Sequence, residues 1–199
     1  MLHNKSEVVD MLASGGLVCM ATDTLFALSC DATNESAVEK LYLTKKRDRE
    51  KKLPVFFHSI EHIIKYCEVP KIALNLAKKF WPGKLTMVLN LKLHAVENSV
   101  LGSNIAVRVP GCDEILEIIK KLDRPIIGTS ANISGSNNLN TIEEVVEQFS
   151  ESDVKLFKSN TAISGIQSTI VSFSDEEVCI IREGAISSQE IFASISCKE

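Results

Sequence analysis

Two rhythms of apolar residues alternate along the chain. Continuous apolar runs at 17–22, 53–57, 85–91 and 105–109 have the length of buried strands, and 125–128, 168–173 and 178–181 read the same way. Between them, apolar residues return at helical spacing. Ala37, Val38 and Leu41 follow a capping Asn34, and Ile115, Leu116, Ile118, Ile119 and Leu122 form one stripe. Further helices are predicted over 7–13, closed by Gly15-Gly16, and over 60–66, 71–80 and 189–195. Thr141 and Glu144 have the spacing of a capping box before a helix at 145–149. Trp81-Pro82-Gly83 and Pro110-Gly111 punctuate the pattern. There is no internal repeat and no low-complexity linker. The pattern predicts one α/β domain over 1–199, a mixed sheet covered by helices.

Composition narrows the setting. Hydrophobic residues make up 45% and charged residues 24%, an ordinary globular mix. The net charge of -4 argues against a bulk electrostatic grip on DNA or RNA, while a local basic patch stays possible. Cys19, Cys30, Cys67, Cys112, Cys179 and Cys197 contain no C-x-x-C pair, which disfavours a zinc ribbon or redox dithiol. Scattered thiols suit a reducing compartment, where cysteine serves as a small hydrophobe. Residues 1–10 hold no apolar signal core, and no apolar run is long enough to span a bilayer. The expectation is a cytoplasmic protein without a membrane partner.

Several familiar sites fail on inspection. Gly83-Lys84 lacks the upstream glycine of a phosphate-binding P-loop and runs into Leu85, and no G-x-G-x-x-G occurs. His58 and His62 have metal-ligand spacing but no third ligand, so they read as a solvated helix start and no metal site is expected. Gly128-Thr129-Ser130-Ala131-Asn132 has the look of a nucleophile elbow. However, Asn132 replaces its second glycine, and His3, His58, His62 and His94 all precede Ser130, against the order of an α/β-hydrolase.

Four features remain. Lys45, Lys46, Arg47, Arg49, Lys51 and Lys52 crowd the approach to the 53–57 strand. Such a run is either a solvated loop or a clamp for a polyphosphate at a sheet edge. Ser130-Ala131-Asn132-Ile133-Ser134-Gly135 follows a strand end, as either an ordinary turn or a set of small groups approaching phosphate or sugar oxygens. Thr22-Asp23-Thr24 offers a similar choice between turn and site. Arg108, inside an apolar strand, requires a protein partner or a ligand anion.

Taken in order, these segments resemble one family. Ala21-Thr22-Asp23-Thr24-Leu25-Phe26-Ala27-Leu28 is similar to the P-T-D/E-T-V/I-Y-G-L segment of YrdC-like threonylcarbamoyl-AMP synthases. Lys45-Lys46-Arg47 with Lys51-Lys52-Leu53 resembles their K-x-R-x-x-x-K-P/G-L, and Phe80-Trp81-Pro82-Gly83-Lys84-Leu85-Thr86 their F-W-P-G-P-L-T. Val107-Arg108-Val109-Pro110 matches V-R-V/M-P, and Ser130 to Gly135 matches S-A-N-x-S-G. Ser168-Thr169-Ile170-Val171 and Ile181-Arg182-Glu183-Gly184 complete the set. Ala21, Lys52 and Lys84 stand where the family has proline, and Ala27 where it has glycine, so the loop after Thr24 is expected to differ locally.

The resemblance implies a twisted, largely parallel α/β sheet around a basic cavity, in the short form of the family. It implies that ATP, L-threonine and bicarbonate (or CO2) give threonylcarbamoyl-AMP and pyrophosphate. The product would pass to a separate tRNA-modifying transferase, with at most weak tRNA contact by this chain. On that basis Lys45, Arg47 and Lys51 are the expected catalytic phosphate clamp, and Ser130, Asn132 and Arg182 complete the ATP site. Thr24, Arg108 and Ser168 are expected to hold threonine, and Mg2+ to arrive as the counter-ion of ATP. Two alternatives stay open: a carbamoyltransferase-type enzyme that makes carbamoyl-adenylate, and a non-catalytic RNA-binding module.

Overall fold

The computed structural model describes residues 1–92, 101–159, 161–174 and 177–196; His94 and Cys197 lie outside them. The first half runs α1 (Lys5–Ala13), β1 (Val18–Ala21), β2 (Phe26–Ser29), α2 (Glu35–Lys45), β3 (Pro54–Phe56), α3 (Ile60–Tyr66), α4 (Lys71–Phe80), β4 (Leu85–Asn90) and β5 (Asn104–Arg108). The second half runs α5 (Asp113–Leu122), β6 (Ile126–Ile127), β7 (Thr129–Ser130), α6 (Ile142–Gln148), β8 (Lys155–Leu156), β9 (Thr169–Ser174), β10 (Glu177–Arg182) and α7 (Ser188–Ser196).

Side chains fix the helix starts where the sequence places them. Asn34 accepts from the N–H of Ala37, and the Thr141–Glu144 capping box is formed, starting α6 at Ile142 rather than Val145. Gly15, at φ 79°, turns the chain out of α1. Four buried residues of α5 (Ile115, Ile118, Ile119 and Leu122) pack with Val8 and Leu12 of α1 over Val18 and Met20 of β1. At about 1.5–3 kcal/mol for each fully buried aliphatic side chain, this layer holds both helices against the small sheet. Cys19, Cys30, Cys67 and Cys112 are buried among apolar neighbours, and Cys179 is exposed.

The strands form two mixed sheets, ordered β7-β2-β1-β8 and β10-β9-β4-β5-β3-β6. A mixed α/β fold with flanking helices is therefore present, but a parallel majority is not. Five pairings among the described strands are antiparallel and three parallel. Residues 22–25 alone connect β1 to β2, and a connection that short can only reverse the chain. Ala27 lies inside β2, paired with Met20 and Ser130, rather than in a loop.

The two sheets meet at Gly128. It is the single residue between β6 of the large sheet and β7 of the small one. A Cβ on Gly128 would stand 2.1 Å from the Phe56 ring, so the crossover requires glycine.

The histidine pair also differs from its reading as a solvated helix start. His62 is only 2% exposed, stacked on His58 at 4.4 Å and set edge-on to Phe57 and Tyr66. The apolar walls of Phe57 and Tyr66 explain why the ring turns inward. Burial, reinforced by His58 and Lys65, lowers its pKa to about 4.

Candidate functional site

A cavity of about 300 Å³ opens between the sheets, with walls from β2, β3, β4, β5, β7, β9 and β10. Four cations face it, Arg47, Lys52, Arg108 and Arg182, together with Thr22, Thr24, Thr86, Thr129, Ser130 and Ser168. Among the described residues, no carboxylate, imidazole or thiol lies on its walls. A chain of net charge -4 thus concentrates positive charge in one concave site.

Arg108 is 3% exposed at the end of β5 and solves its burial with a protein partner. Its Nη2 donates to Asp23 Oδ1 at 2.6 Å, Nη1 to Thr24 Oγ1 at 2.9 Å, and Nε to Gly83 O at 2.8 Å. Burial lowers its pKa and the Asp23 carboxylate works against that shift, so it stays charged. Arg108 nevertheless lines the cavity, and three of its five N–H groups account for these bonds. The Thr22-Asp23-Thr24 segment is therefore both a turn and part of the wall. Thr22 Oγ1 contacts Thr24 Oγ1 and donates to Leu25 O, holding the Thr24 hydroxyl at the guanidinium.

Across the cavity, Ser168 Oγ lies 2.8 Å from Thr86 Oγ1, and Arg182 Nη2 donates to Ser168 O at 2.7 Å. Thr86 and Gln167 line the wall beside Ser168. Neither was singled out from sequence. Thr86 closes the F-W-P-G-x-L-T match, which was its available signal, whereas nothing marked Gln167.

The basic run divides on folding. Arg47 lines the cavity, and its Nε and Nη2 donate to the carbonyls of Lys51 and Lys52 at 3.0 and 2.8 Å. Lys45 does not line it. Buried at the end of α2, its Nζ donates to Ser130 O at 2.5 Å and Asn132 O at 2.6 Å, behind the wall. The structure thus places Lys45 behind the wall rather than among the cations that face the cavity. Burial first, then Arg47, lowers its pKa to about 8.

Lys51 is exposed and off the cavity wall, while Lys52 lies on it. Ser130 is on the wall, with its Oγ donating to Asn132 Oδ1 at 2.6 Å. Asn132 lies off it, and its Nδ2 donates to Ser136 O, so it orients Ser130 from behind.

Comparison with known proteins identifies the family. The Sua5/YciO/YrdC family profile, described as telomere recombination, matches residues 10–184. A threonylcarbamoyl-AMP synthase of Pyrococcus abyssi (strain GE5 / Orsay) is 31% identical over 183 residues, covering 90% of this chain and 54% of the relative. The chain thus spans about half the length of that relative. The threonylcarbamoyl-AMP synthase of Aliivibrio fischeri (strain ATCC 700601 / ES114) is 32% identical, with 79% of this chain and 87% of the relative covered. Among solved structures, P. abyssi Sua5 complexed with L-threonine superposes with a TM-score of 0.91 at 27% identity, covering 98% of this chain and 61% of the other. The profile match takes in all the strands that build the cavity, and the chain belongs to the Sua5/YciO/YrdC family.

Proposed function

We propose that this chain is a threonylcarbamoyl-AMP synthase, acting as one domain on L-threonine, bicarbonate (or CO2) and ATP. The observation that carries this reading is the cavity, in which Arg47, Lys52 and Arg182 have no carboxylate partner among the described residues. Uncompensated cations around small hydroxyls suit a polyphosphate. The similarity to threonylcarbamoyl-AMP synthases, one of them solved with L-threonine, supports the substrate class.

The threonine amine combines with CO2 and loses a proton, giving a carbamate. A carbamate oxygen then attacks the α-phosphorus, a P–O bond forms, and the bond to the β-phosphate breaks to release pyrophosphate. Both reactants are anionic, so cations that neutralise and align them lower the barrier without a dedicated general base.

Arg47 and Arg182 would take the phosphates, Ser130 the nucleotide with Asn132 behind it, and Thr24, Arg108 and Ser168 the threonine. Lys45 would act through the Ser130 and Asn132 carbonyls. Among the described residues the walls offer hydroxyl oxygens but no carboxylate, so Mg2+ would enter on the phosphates rather than sit in a protein cage. The product would pass to a tRNA-modifying transferase in the cytoplasm; no described helix is long and apolar enough to cross a membrane.

Pyrophosphate release, assayed with each substrate omitted in turn, tests this reading. Turnover should require both threonine and bicarbonate. Equal turnover without threonine, and with carbamoyl phosphate, would favour a carbamoyl-adenylate enzyme instead.

A further inference from the structure

Lys52 stands where the family pattern has proline or glycine, and its side chain faces the cavity. Its Nζ donates to the backbone oxygen of Asn104 at 3.1 Å and to the side-chain oxygen of the same residue, both neutral acceptors. No described carboxylate pairs with it. Its own carbonyl accepts from Arg47 Nη2, which fixes the two cations side by side on one edge of the site. Unlike Arg108, which is buried, Lys52 is exposed, so it stands at the mouth.

We propose that Lys52 is an additional phosphate-binding residue of this chain, holding the terminal phosphates of ATP and the departing pyrophosphate. This rests on the reading of the cavity as an ATP site. A displaced pyrophosphate must leave through the mouth carrying more charge than it held within ATP. A cation there that is already held by neutral oxygens meets that charge without first breaking an ion pair. Lysine suits the task because its ammonium is a compact, mobile charge that can follow the leaving group. The same position filled by proline would offer no charge.

Equilibrium binding of ATP, AMP and inorganic tripolyphosphate to wild type, Lys52→Gln and Lys52→Arg tests this. Lys52→Gln should weaken ATP and tripolyphosphate roughly threefold to tenfold, as expected for one partly exposed charged contact, and leave AMP unchanged. Lys52→Arg should restore most of the loss. Unchanged ATP binding in Lys52→Gln overturns the proposal, as does equal weakening of AMP, or equal loss in both variants. If wild type itself binds neither ATP nor tripolyphosphate, the fault lies with the ATP site as a whole.

Discussion

At the scale of single residues, Arg108 carries the sharpest consequence. Its position in an apolar strand demanded a counter-charge, and the structure supplies one in Asp23 while leaving the guanidinium on the cavity wall. Lysine keeps the charge but cannot reach Asp23, Thr24 and Gly83 from one planar fork. Arg108→Lys is therefore expected to lose about 1–3 kcal/mol in urea unfolding, because buried acceptors are left unpaired. It should also raise the threonine requirement roughly tenfold. A loss of stability with unaltered threonine dependence would make Arg108 a structural partner only. Which cations reach the cavity was not legible in the sequence. Lys45, Lys51 and Lys52 look alike in a row of charges, and only the direction each side chain takes from α2 or from the chain entering β3 separates them.

At the scale of elements, strands of four or more apolar residues and helices with caps were readable, because burial and capping are local signals. Helices α3, capped by Ser59, and α4, which has only its apolar spacing, fall on their predicted bounds. Strand β2 was missed because Phe26–Ser29 was read only as part of a motif, and β7 and β8 because two residues carry no periodicity. Sheet orientation was misjudged for a related reason: pairing is set by partners distant in sequence, and α/β alternation alone does not fix it. Gly128 joins these scales. Gly128→Ala would push a methyl into the Phe56 ring, which lines the cavity. The expected result is destabilisation of about 1–3 kcal/mol, the usual range for overpacking, accompanied by weaker ATP binding as Phe56 is displaced. Thermal melts and nucleotide titrations of that variant check both; wild-type values for each would show that the crossover tolerates a side chain.

At the scale of the whole molecule, the buried His62 ring contributes to acid sensitivity. His62 has a folded pKa of about 4 against an ordinary value of 6.5, so the unfolded chain binds a proton that the native state refuses. Stability from this group is complete above pH 6.5 and declines as pH falls towards 4. The decline should amount to a term on the order of 1–3 kcal/mol. His62→Phe, which suits the ring cluster of Phe57 and Tyr66, should flatten that acid limb between pH 6.5 and 4. An unaltered slope would assign the limb to other groups.

The cavity is assembled from Thr22 near one end of the chain to Arg182 near the other, across both sheets. Contacts so distant in sequence form only after long loops have closed, which makes them late in folding and shared by the entire fold. No hairpin or helical fragment can display the site by itself. Ligand affinity is therefore a reporter of global integrity: bound nucleotide would stabilise the whole fold by mass action, and a cut in any wall would release it.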